Sequence, residues 1–168
     1  MLLFRPSAFF ENVPALSADQ LIQNNIRGLI LDADNTLTVH GSLALPESVA
    51  AWLKTLHDNA IGLVVISNNS AERVRPLAEA IGAEYIAKAG KPRPRAYKRA
   101  AAMLGLPKER ILSVGDQIFT DTLGGNLAGI RTVLVKPIDT ATDTGFIRFK
   151  RFFERLVMIG YKGRNGTL

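Results

Sequence analysis

The chain has 168 residues, of which 47% are hydrophobic and 21% are charged, with a formal net charge of +6 and no cysteine. A chain of this length and composition is expected to form a single globular domain with its own hydrophobic core. The lack of cysteine excludes thiol catalysis, thiolate zinc sites and disulfide frameworks, and no apolar run approaches the roughly 20 residues of a membrane-spanning helix.

Residues 1–25 are expected to form an N-terminal arm. Its start, MLLFRPSAFFENVP, is interrupted by proline, arginine and glutamate. It therefore lacks the continuous apolar region of a secretory signal, which favours a cytoplasmic protein.

Further along the arm, Ser17 and Gln20 have the spacing of a capping box, which predicts a short helix that ends near Asn24.

Five apolar segments follow the arm and alternate with helical patterns. The predicted strands cover residues 26–31, 61–66, 83–87, 111–114 and 132–135, and the predicted helices cover 46–59, 70–81, 94–104 and 120–127. This alternation predicts an α/β fold, a doubly wound, three-layer, Rossmann-like domain with a five-stranded parallel sheet. We expect one domain over residues 1–168, with its core at about 26–135.

The C-terminal region, at about residues 141–160, has the pattern of a basic amphipathic helix. Phenylalanine, leucine and valine side chains would share one face, and arginine and lysine side chains the other. This pattern fits a helix docked on the domain and equally a helix lying on an anionic membrane surface. The sequence leaves both interpretations open.

The positive charge is concentrated in two blocks. Six cations and no acid lie within residues 88–99, and six cations with one acid lie within residues 148–168, so the rest of the chain is net acidic. Charged runs are usually solvated surface, but they also attract anionic substrates, membranes or nucleic acids.

Polar side chains lie where four consecutive predicted strands end, and in a parallel sheet ligands bind at that edge. The candidate residues are Asp32, Asp34 and Thr36 after the first strand, Ser67 and Asn68 after the second, Lys91 after the third, and Asp116 and Asp121 after the fourth. Neighbouring carboxylates repel unless a cation or a proton compensates, and Mg²⁺ prefers such oxygen ligands. Together with a hydroxyl and a lysine, they favour magnesium-assisted phosphoryl transfer.

These motifs resemble those of the haloacid dehalogenase-like superfamily of aspartate-nucleophile phosphatases. The four motifs are DADNT, the serine after the second strand, Lys91 and GDQIFTD. The resemblance implies that Asp32 is the nucleophile and Asp34 the general acid and base. It further implies that Lys91 stabilises negative charge, and that Asp116 binds Mg²⁺ with Asp32 and the Asp34 carbonyl.

Three further roles follow from the same resemblance. Ser67, Asn68 and Thr36 are expected to bind substrate, and Thr36 is also expected to orient Asp34. Asp121 is expected to be a metal ligand or to lie just behind one. The acid at position 34 points to phosphate ester hydrolysis, because relatives that dehalogenate lack it. Asn35 departs from the glycine that is more common in this motif.

The intervals between motifs leave no room for a cap domain. They span 33 residues from Asp34 to Ser67 and 24 from Ser67 to Lys91. An open site closes poorly around a small metabolite, which favours a phosphate on a lipid, polysaccharide, protein or nucleic acid, unless another subunit supplies a lid.

The capless organisation, the DxDNT, KPRP and GDQxxTD motifs and the Arg- and Phe-rich tail together resemble the YqeG-type phosphatases of bacteria. These are related to the mitochondrial phosphatidylglycerophosphate phosphatase of fungi. The resemblance implies hydrolysis of phosphatidylglycerophosphate by a cytoplasmic protein that associates peripherally with a membrane. Phosphatases of a phosphorylated sugar, protein or nucleic acid end stay as alternatives.

Two other classes of function fit less well. A phosphoryl-accepting receiver domain would need its aspartate on the middle strand, and residues 83–88 contain none. A nucleic-acid-binding module could use the basic block at 88–99, but that block has no aromatic side chain besides Tyr97 for base stacking. We therefore expect no nucleic-acid partner, and the oligomeric state is left open.

Overall fold

The fold is seen in a computed structural model of the chain, which describes residues 2–39, 42, 44–140, 145, 153–154, 156–159, 161 and 164–168. Its strands are β1 (Ala8–Phe10), β2 (Gly28–Asp32), β3 (Gly62–Ile66), β4 (Glu84–Ile86), β5 (Ile111–Gly115), β6 (Arg131–Val135) and β7 (Arg164–Asn165). They form one parallel sheet in the order β4-β3-β2-β5-β6-β1-β7. The predicted α/β class is confirmed.

The helices are α1 (Ala18–Gln23), α2 (Glu47–Asp58), α3 (Ala71–Ala80), α4 (Pro94–Leu104) and α5 (Leu123–Ala128). Their ends follow the sequence signals. The hydroxyl of Ser17 accepts a hydrogen bond from the backbone N–H of Gln20 and so caps α1. Gly105 ends α4 in the left-handed conformation, with φ of 63°.

The sheet is buried on both faces, as expected for parallel strands that connect through helices. Along β2, Leu29 and Leu31 face a core formed with α1, α2 and α3, and Ile30 faces the other core, against α4. This alternation makes the fold a three-layer sandwich. Since β2 lies between β3 and β5, its carboxyl end has neighbours on both sides.

The sheet has two strands more than the five predicted. β1 comes from the N-terminal arm and pairs with β6, and β7 pairs with β1. These strands have only three and two residues, which is too short for a hydrophobic period to reveal them. Pairing with a neighbouring strand, β6 for β1 and β1 for β7, decides their conformation.

A second difference lies in the fourth motif. Where the sequence predicts one helix at 120–127, the structure has a π-helical turn at Ile118–Thr122, and the helix α5 begins only at Leu123. Single π-turns inside helical segments are frequent at functional sites, and this one carries Asp121.

The C-terminal amphipathic helix predicted at about 141–160 lies largely outside the described residues. Residues 153–154 and 156–158 are helical. Glu154 is buried and accepts a 3.3 Å hydrogen bond from the backbone N–H of Phe119, so this part of the tail contacts the domain. Among the described residues, no helix is long and apolar enough to cross a bilayer.

Candidate active site

The candidate site lies at the carboxyl edge of the sheet, where β2, β3 and β5 end side by side. Asp32 is the last residue of β2 and is in register with Ile66, the last residue of β3. Ser67 follows β3 directly, and Asp116 follows β5 directly. The sheet therefore brings these residues to one edge, as the sequence predicts.

The turn after β2 places Asp34 beyond the nucleophile candidate. In this turn, the backbone N–H of Asn35 donates to the carbonyl of Thr38 at 2.7 Å. Asn35 adopts a left-handed conformation with φ of 60°. Glycine adopts this conformation without strain, and asparagine is among the few other residues that visit it readily. This explains why Asn35 can stand where glycine is more common.

Three aspartates form a buried acidic cluster. Asp32, Asp116 and Asp121 are 7%, 3% and 4% exposed, and each offers a carboxylate oxygen within 4.8 Å of the others. A set of oxygen donors suits Mg²⁺. The residues present therefore fit a divalent cation of this kind, which would compensate charge that a single neighbouring lysine cannot.

Lys91 is the cation within this cluster. Its buried ammonium group donates to a carboxylate oxygen of Asp32, and to Oδ1 of Asp121 at 2.7 Å. Burial opposes the charged form, but the charges of Asp121 and Asp32 outweigh it and raise the pKa of Lys91 well above its ordinary value. Lys91 is therefore held as an ammonium ion.

The carboxyl group of Asp32 is in an unusual electrostatic setting. Burial raises the pKa of Asp32 well above its ordinary value, although Lys91 opposes that shift. The negative charges of Asp121 and Asp116 add to it. Ionised Asp32 consequently depends on Lys91 and on any further cation in the cluster.

Asp34 is held in a different way from the three clustered aspartates. Its Oδ2 accepts a 2.6 Å hydrogen bond from the side-chain amide of Asn69, and its Oδ1 accepts one at 2.8 Å from the guanidinium of Arg73. Both partners come from the segment after β3, where α3 begins. Asp34 is thus clamped outside the acidic cluster.

Sequence reasoning missed this clamp. In the sequence, Asn69 can be interpreted only as a helix cap, and Arg73 only as one of several arginines on a helix face. The available signal is spacing, because Arg73 lies in the first turn of α3 and so shares the sheet edge with Ser67. No motif in the sequence links either residue to Asp34.

The residues assigned to substrate binding lie at the site but have specific structural partners. The Ser67 hydroxyl is buried and accepts a 3.1 Å hydrogen bond from the backbone N–H of Asn69. The side chain of Asn68 brackets the backbone of Lys91, accepting from its N–H at 2.8 Å and donating to its carbonyl at 3.3 Å. Asn68 therefore fixes the loop that carries the lysine.

Thr36 differs from the expectation that it orients Asp34. Its hydroxyl donates to Oδ2 of Asp32 at 3.2 Å. The reason is local geometry: the tight turn at 34–38 returns the chain toward the end of β2, while Asn69 and Arg73 draw the Asp34 carboxylate the other way. Thr36 orients the Asp32 carboxylate.

Asp121 is fixed by the π-helical turn that carries it. Its Oδ2 accepts hydrogen bonds from the backbone N–H of Gln117 at 3.1 Å and from the hydroxyl of Thr120 at 3.3 Å. Behind the turn, the buried Tyr97 donates its hydroxyl to the carbonyl of Thr120 at 3.0 Å. Burial raises the pKa of Tyr97 far above its ordinary value, so it stays a donor.

Comparisons with known proteins agree with this geometry. A family model described as mitochondrial PGP phosphatase matches residues 2–85, half of the chain, and one described as HAD-hydrolase-like matches residues 88–144. The chain is 36% identical over 160 residues to the probable phosphatase YqeG of Bacillus subtilis, covering 95% of this chain and 92% of that protein.

More distant similarities point the same way. The chain is 24% identical to phosphatidylglycerophosphate phosphatase 1, chloroplastic/mitochondrial, of Arabidopsis thaliana, covering 89% of this chain but 45% of that protein. In fold, it is similar to the cobalt-bound deoxy-D-mannose-octulosonate 8-phosphate phosphatase of Haemophilus influenzae, with a TM-score of 0.57 and 17% identity over 83% of this chain and 90% of that one.

Proposed function

The chain belongs to the YqeG-type phosphatases of the haloacid dehalogenase-like superfamily, and from that premise we propose that it is a magnesium-dependent phosphomonoesterase that forms an aspartyl-phosphate on Asp32. The observation that supports the proposal most directly is that the carboxyl groups of Asp32 and Asp34 have different surroundings. Asp32 lies in a buried cluster with a lysine, while Asp34 is clamped outside it. A nucleophile and a general acid need such different surroundings.

In the first step, a carboxylate oxygen of Asp32 attacks the phosphorus in line with the ester oxygen. The ester bond breaks, and Asp34 in its protonated form gives a proton to the leaving oxygen. Lys91 and Thr36, which already contact Asp32, hold its attacking carboxylate in place. The product of this step is the aspartyl-phosphate.

In the second step, Asp34, now ionised, takes a proton from a water molecule as that water attacks the phosphorus. The bond between phosphorus and Asp32 breaks, which releases inorganic phosphate and restores the carboxylate. The hydrogen bonds from Asn69 and Arg73 hold the carboxyl group of Asp34 in place for both proton transfers. The same residue thus serves as acid and then as base.

The phosphoryl oxygens are stabilised by positive charge and by donors. The hydroxyl of Ser67, which accepts from Asn69 but still has its own proton to donate, is suited to hold a phosphoryl oxygen. Asp32, Asp116 and Asp121, with the carbonyl of Asp34, would hold Mg²⁺. When bound, the ion supplies charge neutralisation for the carboxylates and the transferring phosphoryl group.

For the substrate, we propose a membrane-borne anionic phospholipid with a terminal phosphate, of which phosphatidylglycerophosphate is the leading candidate. The more distant relatives carry that activity in their names. In the part of the chain that the structure describes, the intervals between motifs hold one helix and one strand each, α2 with β3 and α3 with β4, which leaves the site open to a large substrate. A phosphorylated sugar, protein or nucleic acid end is the alternative.

Peripheral association with a membrane is part of this proposal. Near the C-terminus, Phe153, Leu156 and Ile159 are 41%, 47% and 72% exposed. Exposed apolar side chains in a segment rich in arginine and lysine are typical of a helix that lies in the interface of an anionic membrane. The contact of Glu154 with the fourth motif would keep this segment beside the active site.

The test is a panel of phosphate esters assayed with and without Mg²⁺. Phosphatidylglycerophosphate in mixed vesicles is compared with soluble sugar phosphates, a phosphopeptide and a 5′-phosphorylated oligonucleotide, with Asp32→Asn as the blank. We expect magnesium-dependent release of phosphate that is fastest from the lipid. Preference for a soluble ester by orders of magnitude would reject the lipid substrate, and turnover by Asp32→Asn would reject the nucleophile.

A further inference from the structure

A basic groove lies beside the loop that carries Lys91. It encloses about 330 Å³ between β4 and the start of α4. Four cationic side chains line it, namely those of Lys88, Arg93, Arg95 and Arg99. The remaining lining residues are apolar or glycine, so the groove contains no carboxylate of its own.

The four cations are available to a ligand. All four residues are exposed, and none forms an ion pair with a carboxylate in the part of the chain that the structure describes. Glu72 is an acid near Lys88, and its pKa is lowered by hydrogen bonds to Ser70 and to its own backbone and, to a smaller extent, by the charge of Lys88. The four cations of the lining keep the groove itself positive.

The groove and the candidate active site lie on opposite sides of the loop that carries Lys91. Lys91 turns inward to Asp32, whereas its neighbours Lys88 and Arg93 turn outward. The loop is pinned to the segment after β3, since the backbone N–H of Lys88 donates to the carbonyl of Asn69 at 2.8 Å. A ligand in the groove would therefore contact the same loop that positions Lys91 against Asp32.

We infer that this groove binds the phosphodiester group of an anionic phospholipid, either of the substrate molecule or of a neighbouring lipid. Arginine recognises phosphate through two parallel hydrogen bonds. The groove also lies at the N-terminus of α4, which has eleven residues and no acid in its first turn. The helix dipole there favours an anion.

A lipid fits the groove better than a nucleic acid does. Among the groove's lining residues there is no aromatic side chain on which a base could stack. The inference rests on the proposed membrane-borne substrate, and it adds which face of the protein meets the bilayer. The face is the one that carries Arg95 and Arg99.

The experiment measures binding to vesicles without turnover. Full-length protein carrying Asp32→Asn is titrated with vesicles of phosphatidylcholine alone and of phosphatidylcholine mixed with phosphatidylglycerol. Adding Arg95→Gln and Arg99→Gln should weaken binding to the mixed vesicles about 30-fold, since each cation near an anionic surface contributes a factor of about five. Binding to phosphatidylcholine alone should be weak for every variant.

A matched control removes the same charge elsewhere. Arg5→Gln with Lys108→Gln removes two exposed cations that do not line the groove, and it should cause no comparable loss. Equal losses in both double variants would overturn the inference, because the effect would then be one of net charge. Circular dichroism and thermal unfolding check that both variants fold.

A competition arm separates lipid from free phosphate. Inorganic phosphate at the same phosphate concentration should not displace the protein from the mixed vesicles, and displacement would overturn the lipid assignment. Because no hydrolysis is measured, the two proposals can fail separately. Groove-dependent binding without hydrolysis of phosphatidylglycerophosphate would reject only the proposed substrate, and hydrolysis without groove-dependent binding would reject only the groove.

Discussion

The guanidinium of Arg73 donates to Oδ1 of Asp34 at 2.8 Å, and this ion pair joins the first turn of α3 to the turn after β2. The side chain of Asp34 is 20% exposed, so solvent screens the pair only in part. Arg73 is therefore a positioning residue for the proposed general acid and base. It acts through Asp34 and does not touch the acidic cluster in the described contacts.

The first prediction concerns this positioning role. Arg73→Gln should lower kcat about 10- to 100-fold with little change in KM, because a hydrogen bond to a charged group contributes roughly 1.5–3 kcal/mol. Steady-state kinetics on an aryl phosphate measure both constants. A merely structural role would instead lower thermal stability and leave the kcat of the folded fraction intact.

Arg75→Gln is the matched control. Arg75 lies on the same helix, but its guanidinium donates to the hydroxyl of Tyr85 at 3.1 Å, away from Asp34. Its removal should leave both kinetic constants near their wild-type values. Equal effects of the two substitutions would contradict the positioning role of Arg73.

The second prediction concerns the nucleophile. Asp32→Asn should lower turnover by roughly 10⁴-fold or more, because an amide cannot attack phosphorus. The fold should survive, since Asn has nearly the same volume, removes a buried charge and leaves Lys91 paired with Asp121. Acid quenching and mass spectrometry should detect a phosphorylated peptide containing Asp32 in the wild type only. A phosphorylated peptide from elsewhere in the chain would contradict the assignment.

The third prediction concerns the metal. Mg²⁺ at about 100 times its dissociation constant should stabilise the folded protein by about 2.7 kcal/mol, a rise in Tm of roughly 5–10 °C for a domain of this size. Asp116→Asn should abolish most of that rise, because it replaces a charged carboxylate of the cluster by a neutral amide. Asp58→Asn, at an exposed site on α2, is the control. A Tm that does not respond to Mg²⁺ in the wild type would count against the site.

The fourth prediction concerns the glycine that precedes Asp116. A Cβ atom at Gly115 would meet the carboxyl carbon of Asp121 and would lie 2.5 Å from its Cβ. Gly115→Ala should therefore displace Asp121 and weaken both Mg²⁺ binding and turnover, as measured by the Tm shift and by kcat. Gly145→Ala is the control, because nothing lies within 4 Å of the added atom. Unchanged metal binding in Gly115→Ala would show that Asp121 is not required.

Much of the fold follows from local sequence signals, because its central strands are continuous apolar runs and its helices have capping and end signals. All five predicted strands are present, with ends shifted by one or two residues. β1 and β7 could not be predicted in the same way, since the pairing of β1 with β6 and of β7 with β1 is a tertiary effect. The π-turn at Ile118–Thr122 has no period of its own to detect.

The same distinction between local signals and tertiary effects applies to the candidate site. The acidic cluster could be predicted because Asp32 ends β2 and Asp116 directly follows the adjacent strand β5, and the sheet fixes where its strands end. The partners of side chains could not, because they depend on rotamers and turn geometry. Thus Thr36 contacts Asp32, although the sequence suggests Asp34 as its partner, and no sequence motif marks Arg73 as the partner of Asp34.

The last prediction concerns the exposed apolar side chains near the C-terminus. Leu156→Ser with Ile159→Ser should lower the rate on lipid vesicles about tenfold, because inserting a large apolar side chain into the interface contributes on the order of 1 kcal/mol. The rate on a soluble aryl phosphate should not change, since neither side chain is part of the site's described contacts. Leu127→Ser is the control, because this side chain is 42% exposed on α5, outside both the C-terminal segment and the groove. If Leu127→Ser lowers the lipid rate as much as the double substitution does, the C-terminal segment has no special part in docking. If the soluble rate falls together with the lipid rate, the role of the segment is to support the fourth motif through Glu154.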